Sequence, residues 1–416
     1  MSAKLGNGFF SKLTGCFCFS IIACLTHSYG HAGSAKLKPI VIVPGMGGSR
    51  IEAKLDRNET SHYWCYRKTA EWFTLWLNIE ELLPMARECW IDNIQLVYNP
   101  LTDDMENAPG VETRVPHFGN TSAIEMLDHS VLGFGVYFYP LIEALTRVGY
   151  TRGENVRGAP YDFRHHPGSS SAGEYFVKLK KLIEDTYAAN NGAVLLLSHS
   201  MGAPYTHYFL KRQSQQWKDK YIDSWVTISG AYAGSVNILL AYISGYGFGI
   251  PRFVEKPRIL RSPERTYGSL PYLLPDSRFW DEDEILVETE NRSYVVGEWN
   301  DLFMDLNFPL AKSVLHSTPP SWDEEAPHVD TYCLYGSEVE TPAKLKYRPG
   351  YFPDYHPDIE YESGDGTVPL RSLEACKRWV NKTSHRVAMK EFPNADHNRI
   401  LRNPDLIRYI FGLLNL

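Results

Sequence analysis

Ser198-His199-Ser200-Met201-Gly202 follows the apolar run Val194 to Leu197 and precedes a helical pattern from Met201 to Arg212. Esterases need this placement, because a sharp strand-to-helix turn lifts a serine hydroxyl clear of a sheet. The strained turn leaves room only for small residues two before and two after the serine. Here these are Ser198 and Gly202, where glycine is usual at both. A serine here could also simply cap the following helix; the apolar strand before it favours the nucleophile.

An ordinary hydroxyl is a poor nucleophile and needs a base held by a carboxylate. On this scaffold the chain order is serine, acid, histidine. Asp365, in Ser363-Gly364-Asp365-Gly366-Thr367-Val368-Pro369, is the acid candidate, although Asp-Gly is also a plain turn signal. Six histidines follow Ser200: His207, His316, His328, His356, His385 and His397. His207 falls on the helix after the serine, His316 and His328 in an irregular stretch, His356 before the acid, and His385 at the start of a strand. His397, on a loop after the strand Arg386 to Phe392, has the right order and position.

An oxyanion needs two backbone N–H groups aimed at the developing charge, each worth about 3 kcal/mol. Met201, next to the nucleophile, supplies one. Pro44-Gly45-Met46-Gly47-Gly48 follows an early strand and supplies the other through Met46. That turn lacks both the G-x-G-x-x-G and the Walker spacing, which argues against a nucleotide.

The elements that position these groups alternate strand and helix. Residues 39–44 (PIVIVP), Val194 to Leu197, Tyr221 to Ser229 and Thr331 to Tyr335 read as strands. Tyr139 to Val148, Tyr175 to Tyr187 and Met201 to Arg212 read as helices, and Pro404 to Leu414 closes the chain as another. Such βαβ alternation predicts an α/β fold with a mostly parallel sheet covered by helices. Between about 234 and 330 the alternation disappears, and this stretch reads as an insertion over the sheet.

The chain has 416 residues, 44% hydrophobic, with a net charge of -7 and no basic run or patch for a phosphate backbone, so nucleic acid is not an expected partner. Lys4 and Lys12 flank an N-terminal stretch, then the apolar run Leu13 to Leu25 and small and polar residues follow, which is the plan of a signal peptide over about 1–32. That run is too short to cross ~30 Å of hydrocarbon comfortably. A secreted or lumenal protein of residues 33–416 is expected.

Three of the seven cysteines fall in the leader, leaving Cys65, Cys89, Cys333 and Cys376. Four cysteines allow three pairings, of which the local one, Cys65–Cys89 and Cys333–Cys376, is preferred. Zinc, the other common use of four cysteines, is not expected without a C-x-x-C or short Cys/His spacing. The sequons at Asn58, Asn120, Asn291 and Asn381 become glycosylation candidates once secretion is accepted. Between Cys65 and Cys89, Trp72, Trp76, Ile79 and Leu83 would share one helical face, while Phe73, Leu75 and Leu77 make the other face apolar too. Such a loop is either buried or dips into lipid; an esterase acting at an interface favours Trp72, Phe73, Leu75, Trp76 and Leu77 as membrane-binding residues.

Several longer motifs carry a resemblance. Val43-Pro44-Gly45, Glu52 to Asp56, Thr74 to Asn78, Cys89 to Ile94, Thr151 to Asp162 and Gly364 to Val368 together resemble the lecithin:cholesterol acyltransferase family, and within it the lysosomal phospholipase A branch. The similarity spans residues 39–232 and 331–416 and fades over 235–330. It implies an α/β-hydrolase fold with an inserted cap at about 234–330 and a disulfide-closed membrane-binding loop at about 62–92. It implies the triad Ser200, Asp365 and His397, oxyanion donors at Met46 and Met201, and the pairings Cys65–Cys89 and Cys333–Cys376. It also implies a cofactor-free acyl-serine mechanism. A fatty acyl group would leave a glycerophospholipid for water or a lipophilic alcohol, performed by a monomer at a phospholipid membrane or lipoprotein surface, in a lysosome or outside the cell. Sterol acylation, neutral-lipid hydrolysis and non-catalytic lipid binding are the competing readings. Met46 stands where the lysosomal branch has an Asp, Gly230 to Ser235 departs from the family's Gly-Ala-Pro-Trp-Gly-Gly, and Pro100 removes a family sequon at Asn99.

Overall fold

The structure is a computed structural model that describes residues 37–128, 135–247 and 257–416. The expected signal peptide lies outside the described residues. Six parallel strands form the central sheet, in the spatial order Val387–Pro393, Thr331–Ser337, Ile222–Ile228, Val194–His199, Ile40–Val43, Val156–Gly158. The buried inner strands alternate between two cores. Val41, Val43, Val194, Leu196 and Trp225 point to one face, and Ile40, Ile42, Leu195, Leu197, Val226 and Ile228 to the other. Helices Ser170–Asn190 and Gly202–Lys211 cover the first face; Tyr139–Arg147 and Pro404–Leu414 cover the second.

Register decides where the site can be. Val43 pairs with Ser198, and His199 pairs with Ile228, so these three strands end level. Their carboxyl ends carry Pro44-Gly45-Met46, Ser200 and Ser229 side by side, the edge where α/β sheets place their ligands. Thr331–Ser337 joins on the far side of Ile222–Ile228, and Val387–Pro393 beyond it, carrying the acid and histidine loops to the same edge.

Asp365 does not follow Thr331–Ser337 directly. The chain first makes the antiparallel strands Val339–Lys346 and Asp358–Gly364, and a bridge from Val339 to Asp365 returns the acid to the end of the sheet. These strands pair with Ile285–Glu288 and Ser293–Val295 into a second, four-stranded sheet. The expected insertion of 234–330 therefore shares a sheet with 339–364. Pro342 and an irregular burial pattern hide Val339–Lys346 from a period-two reading.

The disulfides are Cys65–Cys89 and Cys333–Cys376. The loop closed by Cys65–Cys89 corrects one expectation. Phe73–Trp76 is a strand, not a helix, paired antiparallel to Ile51–Leu55. Leu75, Trp76 and Leu77 are buried in the main core, so they do not face a membrane. Strand pairing turns Leu75 and Trp76 inward, and Trp76 is fixed there by its Nε1–H, which donates to the Gly47 carbonyl at 2.8 Å. Trp72 is half-buried beneath the Arg114 guanidinium, 4.4 Å from its ring centre, and Phe73 is half-buried too. The exposed apolar side chains of this region are Tyr63, Trp64, Tyr66, Leu83 and Met85.

Candidate active site

Ser200 sits at the turn between Val194–His199 and Gly202–Lys211 with φ of 56°, left-handed backbone that a non-glycine residue occupies only when its surroundings force it. Its amide donates to Ile228 O at 3.0 Å. The elbow leaves no room around it. A Cβ on Gly202 would lie 2.3 Å from Pro44 O, and one on Gly45 would lie 2.6 Å from the Ser200 Cβ. Ser198, where glycine is usual, is fully buried with its Oγ accepting the Trp225 Nε1–H at 2.8 Å. The extra hydroxyl therefore has a partner.

His397 Nε2 lies 2.9 Å from Ser200 Oγ, and His397 Nδ1 lies 2.6 Å from Asp365 Oδ2. Asp365 is fully buried; its other oxygen accepts the Thr367 and Val368 amides at 3.0 and 2.8 Å. The His397 amide also donates to the Asp365 carbonyl at 2.8 Å. The acid loop is tied down in turn by Asn237 Nδ2, which donates to Thr367 O at 3.0 Å, and by the Ser235 hydroxyl, which donates to the same carbonyl at 2.5 Å. Thus the Gly230 to Ser235 stretch leads into residues that brace the acid.

The turn after Ile40–Val43 is closed by the Gly48 amide donating to Gly45 O at 3.1 Å, with Gly47 at φ of 69°. Glycine suits that left-handed position. Among the described residues the Met46 and Met201 amides have no protein acceptor. Two free amides flanking the serine are what an oxyanion requires.

These groups open into a 490 Å³ cavity lined by Met46, Trp76, Leu77, Ile79, Leu127, Val136, Ile238 and Leu273. Polar residues line it too, among them Asn237, Tyr246, Asp396, Asn398, Arg399 and Arg402. The cavity has the size of a ligand site and joins apolar side chains that suit an aliphatic chain to polar groups that can orient a head.

Two residues that the sequence reading left aside complete the wall. Tyr137 is buried, its hydroxyl accepts the Gly45 amide at 3.0 Å and lies 2.5 Å from His199 Nδ1. His199 Nε2 lies 2.8 Å from the His397 carbonyl, and burial drives its pKa well below the ordinary histidine value. Tyr137 reaches this position from the other side of the sheet, and no local pattern announces it.

The Lecithin:cholesterol acyltransferase family model matches residues 72–323 and 316–404. The lysosomal phospholipase A and acyltransferase of Mus musculus is 41% identical over 377 residues, covering 90% of each chain. The chain belongs to the lecithin:cholesterol acyltransferase family. The human protein of the same description is 40% identical over 383 residues, again covering 90% of each chain. The phosphatidylcholine-sterol acyltransferase of Papio anubis is 36% identical over 385 residues, 91% of this chain and 84% of that one.

Within this family setting the match runs through 235–315, where the motif resemblance fades. Among the described residues there is no cluster of three or more His, Cys, Asp or Glu that could hold a metal ion, and no helix long and apolar enough to cross a membrane.

Proposed function

We propose that this lecithin:cholesterol acyltransferase family member is a serine phospholipase A and acyltransferase. The observation that carries the reading is the Ser200–His397–Asp365 line, with contacts of 2.9 and 2.6 Å, opening into a cavity lined partly by aliphatic side chains. His397 Nε2 takes the Ser200 hydroxyl proton as Oγ attacks an acyl ester carbonyl. The Met46 and Met201 amides hold the resulting oxyanion, and Asp365 fixes the imidazole and balances its charge. Collapse releases the lysophospholipid, whose alkoxide takes the proton back from His397. Water or a lipophilic alcohol then gives a proton to His397 and attacks the acyl-Ser200 ester, which restores the serine.

The enzyme works as a monomer at a phospholipid surface, approached through the exposed Tyr63, Trp64, Tyr66, Leu83 and Met85. Tyr and Trp suit such an interface because each joins an apolar body to a polar tip. Two disulfides support a lysosomal or extracellular site of action. The exposed sequon residues Asn58, Asn120, Asn291 and Asn381 fit glycosylation on the same route.

Phosphatidylcholine liposomes carrying a lipophilic alcohol, a sterol in one arm and a long-chain alcohol in another, test the reading at pH 4.5 and 7.4. Wild-type protein releases fatty acid and lysolipid and acylates an alcohol, all read by mass spectrometry. Ser200→Ala makes none of these and still binds the liposomes. Products from Ser200→Ala contradict the mechanism, and glyceride cleavage without phospholipid cleavage points to a neutral-lipid lipase instead.

A further inference from the structure

We propose that Arg399 and Arg402 form a subsite for the phosphodiester of the substrate lipid, at the mouth of the acyl cavity. The inference rests on the phospholipase reading above and names how that site would tell a phospholipid from a neutral ester.

Both arginines line the cavity that holds Ser200 and His397. They are the first and last residues of the 3-10 helix Arg399–Arg402, whose middle residues Ile400 and Leu401 are buried. In a 3-10 helix residues three apart eclipse one another, so the two side chains rise from the same edge. The helix begins two residues after His397, at most about 7 Å of chain, and one turn adds about 6 Å. In a glycerophospholipid only a few bonds separate either ester carbonyl from phosphorus. A carbonyl held at Ser200 thus brings the phosphate within reach of a long side chain anchored on this turn.

Their charges are free. Among the described residues neither guanidinium has an ion pair or hydrogen bond, and both side chains are exposed. Other arginines of the chain are paired with carboxylates, Arg152 with Glu125 and Glu143, Arg371 with Glu284 and Glu362, Arg278 with Asp276, or are spent on carbonyls, as Arg157 on Gly119 and Arg265 on Tyr242. One carboxylate, Asp396, lines the same cavity; its Oδ1 accepts the Asn398 and Arg399 amides, both at 3.1 Å, and it makes no ion pair with either arginine among the described residues. Two adjacent unpaired guanidinia match a phosphodiester, since each offers a planar fork to two oxygens. A neutral glyceride offers them nothing.

The test uses Arg399→Gln/Arg402→Gln and Arg399→Lys/Arg402→Lys in the full chain. Substrates are phosphatidylcholine and a diacylglycerol of the same acyl chains, each in neutral detergent micelles, plus a soluble short-chain ester. The Gln pair loses about tenfold to a hundredfold in kcat/KM on phosphatidylcholine, the worth of charge-assisted hydrogen bonds. It stays within twofold of wild type on diacylglycerol and the soluble ester, and its sedimentation with liposomes is unchanged. The Lys pair recovers part of the loss, because charge returns without the fork. Equal losses on every substrate overturn the subsite and make the arginines supports of the His397 loop. Unchanged micelle kinetics with weaker binding to anionic liposomes also overturn it, in favour of surface docking. Unchanged behaviour throughout overturns it as well. Wild-type protein that never cleaves phosphatidylcholine rejects the phospholipase reading itself, whatever the variants do.

Discussion

The Tyr137 hydroxyl lies 2.5 Å from His199 Nδ1, and it already accepts the Gly45 amide. Its own proton must therefore go to Nδ1, which leaves the His199 proton on Nε2, donated to the His397 carbonyl at 2.8 Å. One buried chain thus joins the oxyanion turn, the residue before the nucleophile and the histidine loop. A protonated His199 would break it, in keeping with the lowered pKa of that ring.

Tyr137→Phe removes the link and strands two buried groups, the Gly45 amide and His199 Nδ1. Each such group costs about 1–3 kcal/mol. The expected outcome is a lower Tm together with a lower kcat on a soluble ester, KM changing little. A drop in Tm alone would make the chain purely structural.

Gly45→Ala places a methyl 2.6 Å from the Ser200 Cβ and 3.2 Å from its Oγ. Displacing the nucleophile from its base by even about 1 Å costs on the order of a hundredfold in rate, so kcat falls by at least that much. Gly173→Ala is the contrasting substitution. That glycine is exposed within the helix Ser170–Asn190 with open space where a Cβ would go. It raises stability by about 0.5–1 kcal/mol and leaves turnover alone. Thermal melts and ester hydrolysis of the two variants check both statements.

Glu264 ends the helix Pro257–Glu264 and is buried with one oxygen accepting the Tyr246 amide at 3.0 Å. Burial pushes its pKa well above the ordinary 4.5, outweighing that amide. The folded protein keeps a proton that the unfolded chain gives up, so stability is full below about 4.5 and is lost as pH rises from there. Glu264→Gln removes this dependence. Its Tm should match wild type near pH 4 and exceed it increasingly toward pH 7. A constant difference across that range would contradict the protonated carboxyl.

Membrane approach divides the aromatic loop into two parts. Tyr63→Ser/Met85→Ser removes side chains that are 92% and 84% exposed, so it weakens liposome binding and turnover while a soluble ester is cleaved normally. Trp76→Ala removes a cavity wall bonded to Gly47, so it impairs both substrates. Sedimentation with liposomes and parallel kinetics separate the two.

How much of this was legible depended on whether a residue's partner lay nearby in sequence. Val194 to Leu197 reads as a strand because an aliphatic run declares itself locally, as does the Tyr- and Leu-bearing Thr331 to Tyr335, and both lie in the central sheet. Chain order singled out Ser200, Asp365 and His397, and the register of the parallel strands explains why their loops share one edge. Leu75 to Leu77 were misread because an apolar loop looks the same whether lipid or protein covers it; only pairing with Ile51–Leu55 reveals the cover. Val339–Lys346 escaped because Pro342 and an irregular burial pattern break its alternation, and one of its two partners, Ile285–Glu288, lies far away in sequence. Tyr137 escaped because Gly45 and His199, the groups it bonds, are brought near only by the fold.

The central claim is an acyl group carried by Ser200. Rapid acid quenching of wild-type protein turning over phosphatidylcholine, then digestion and peptide mass spectrometry, reads it directly. The account predicts a fatty acyl mass on the peptide containing Ser200, formed in the first turnover, discharged faster when a lipophilic alcohol is added, and absent from Ser200→Ala. Fatty acid released at the full rate with no acyl adduct at Ser200, or with one on another residue, would contradict it.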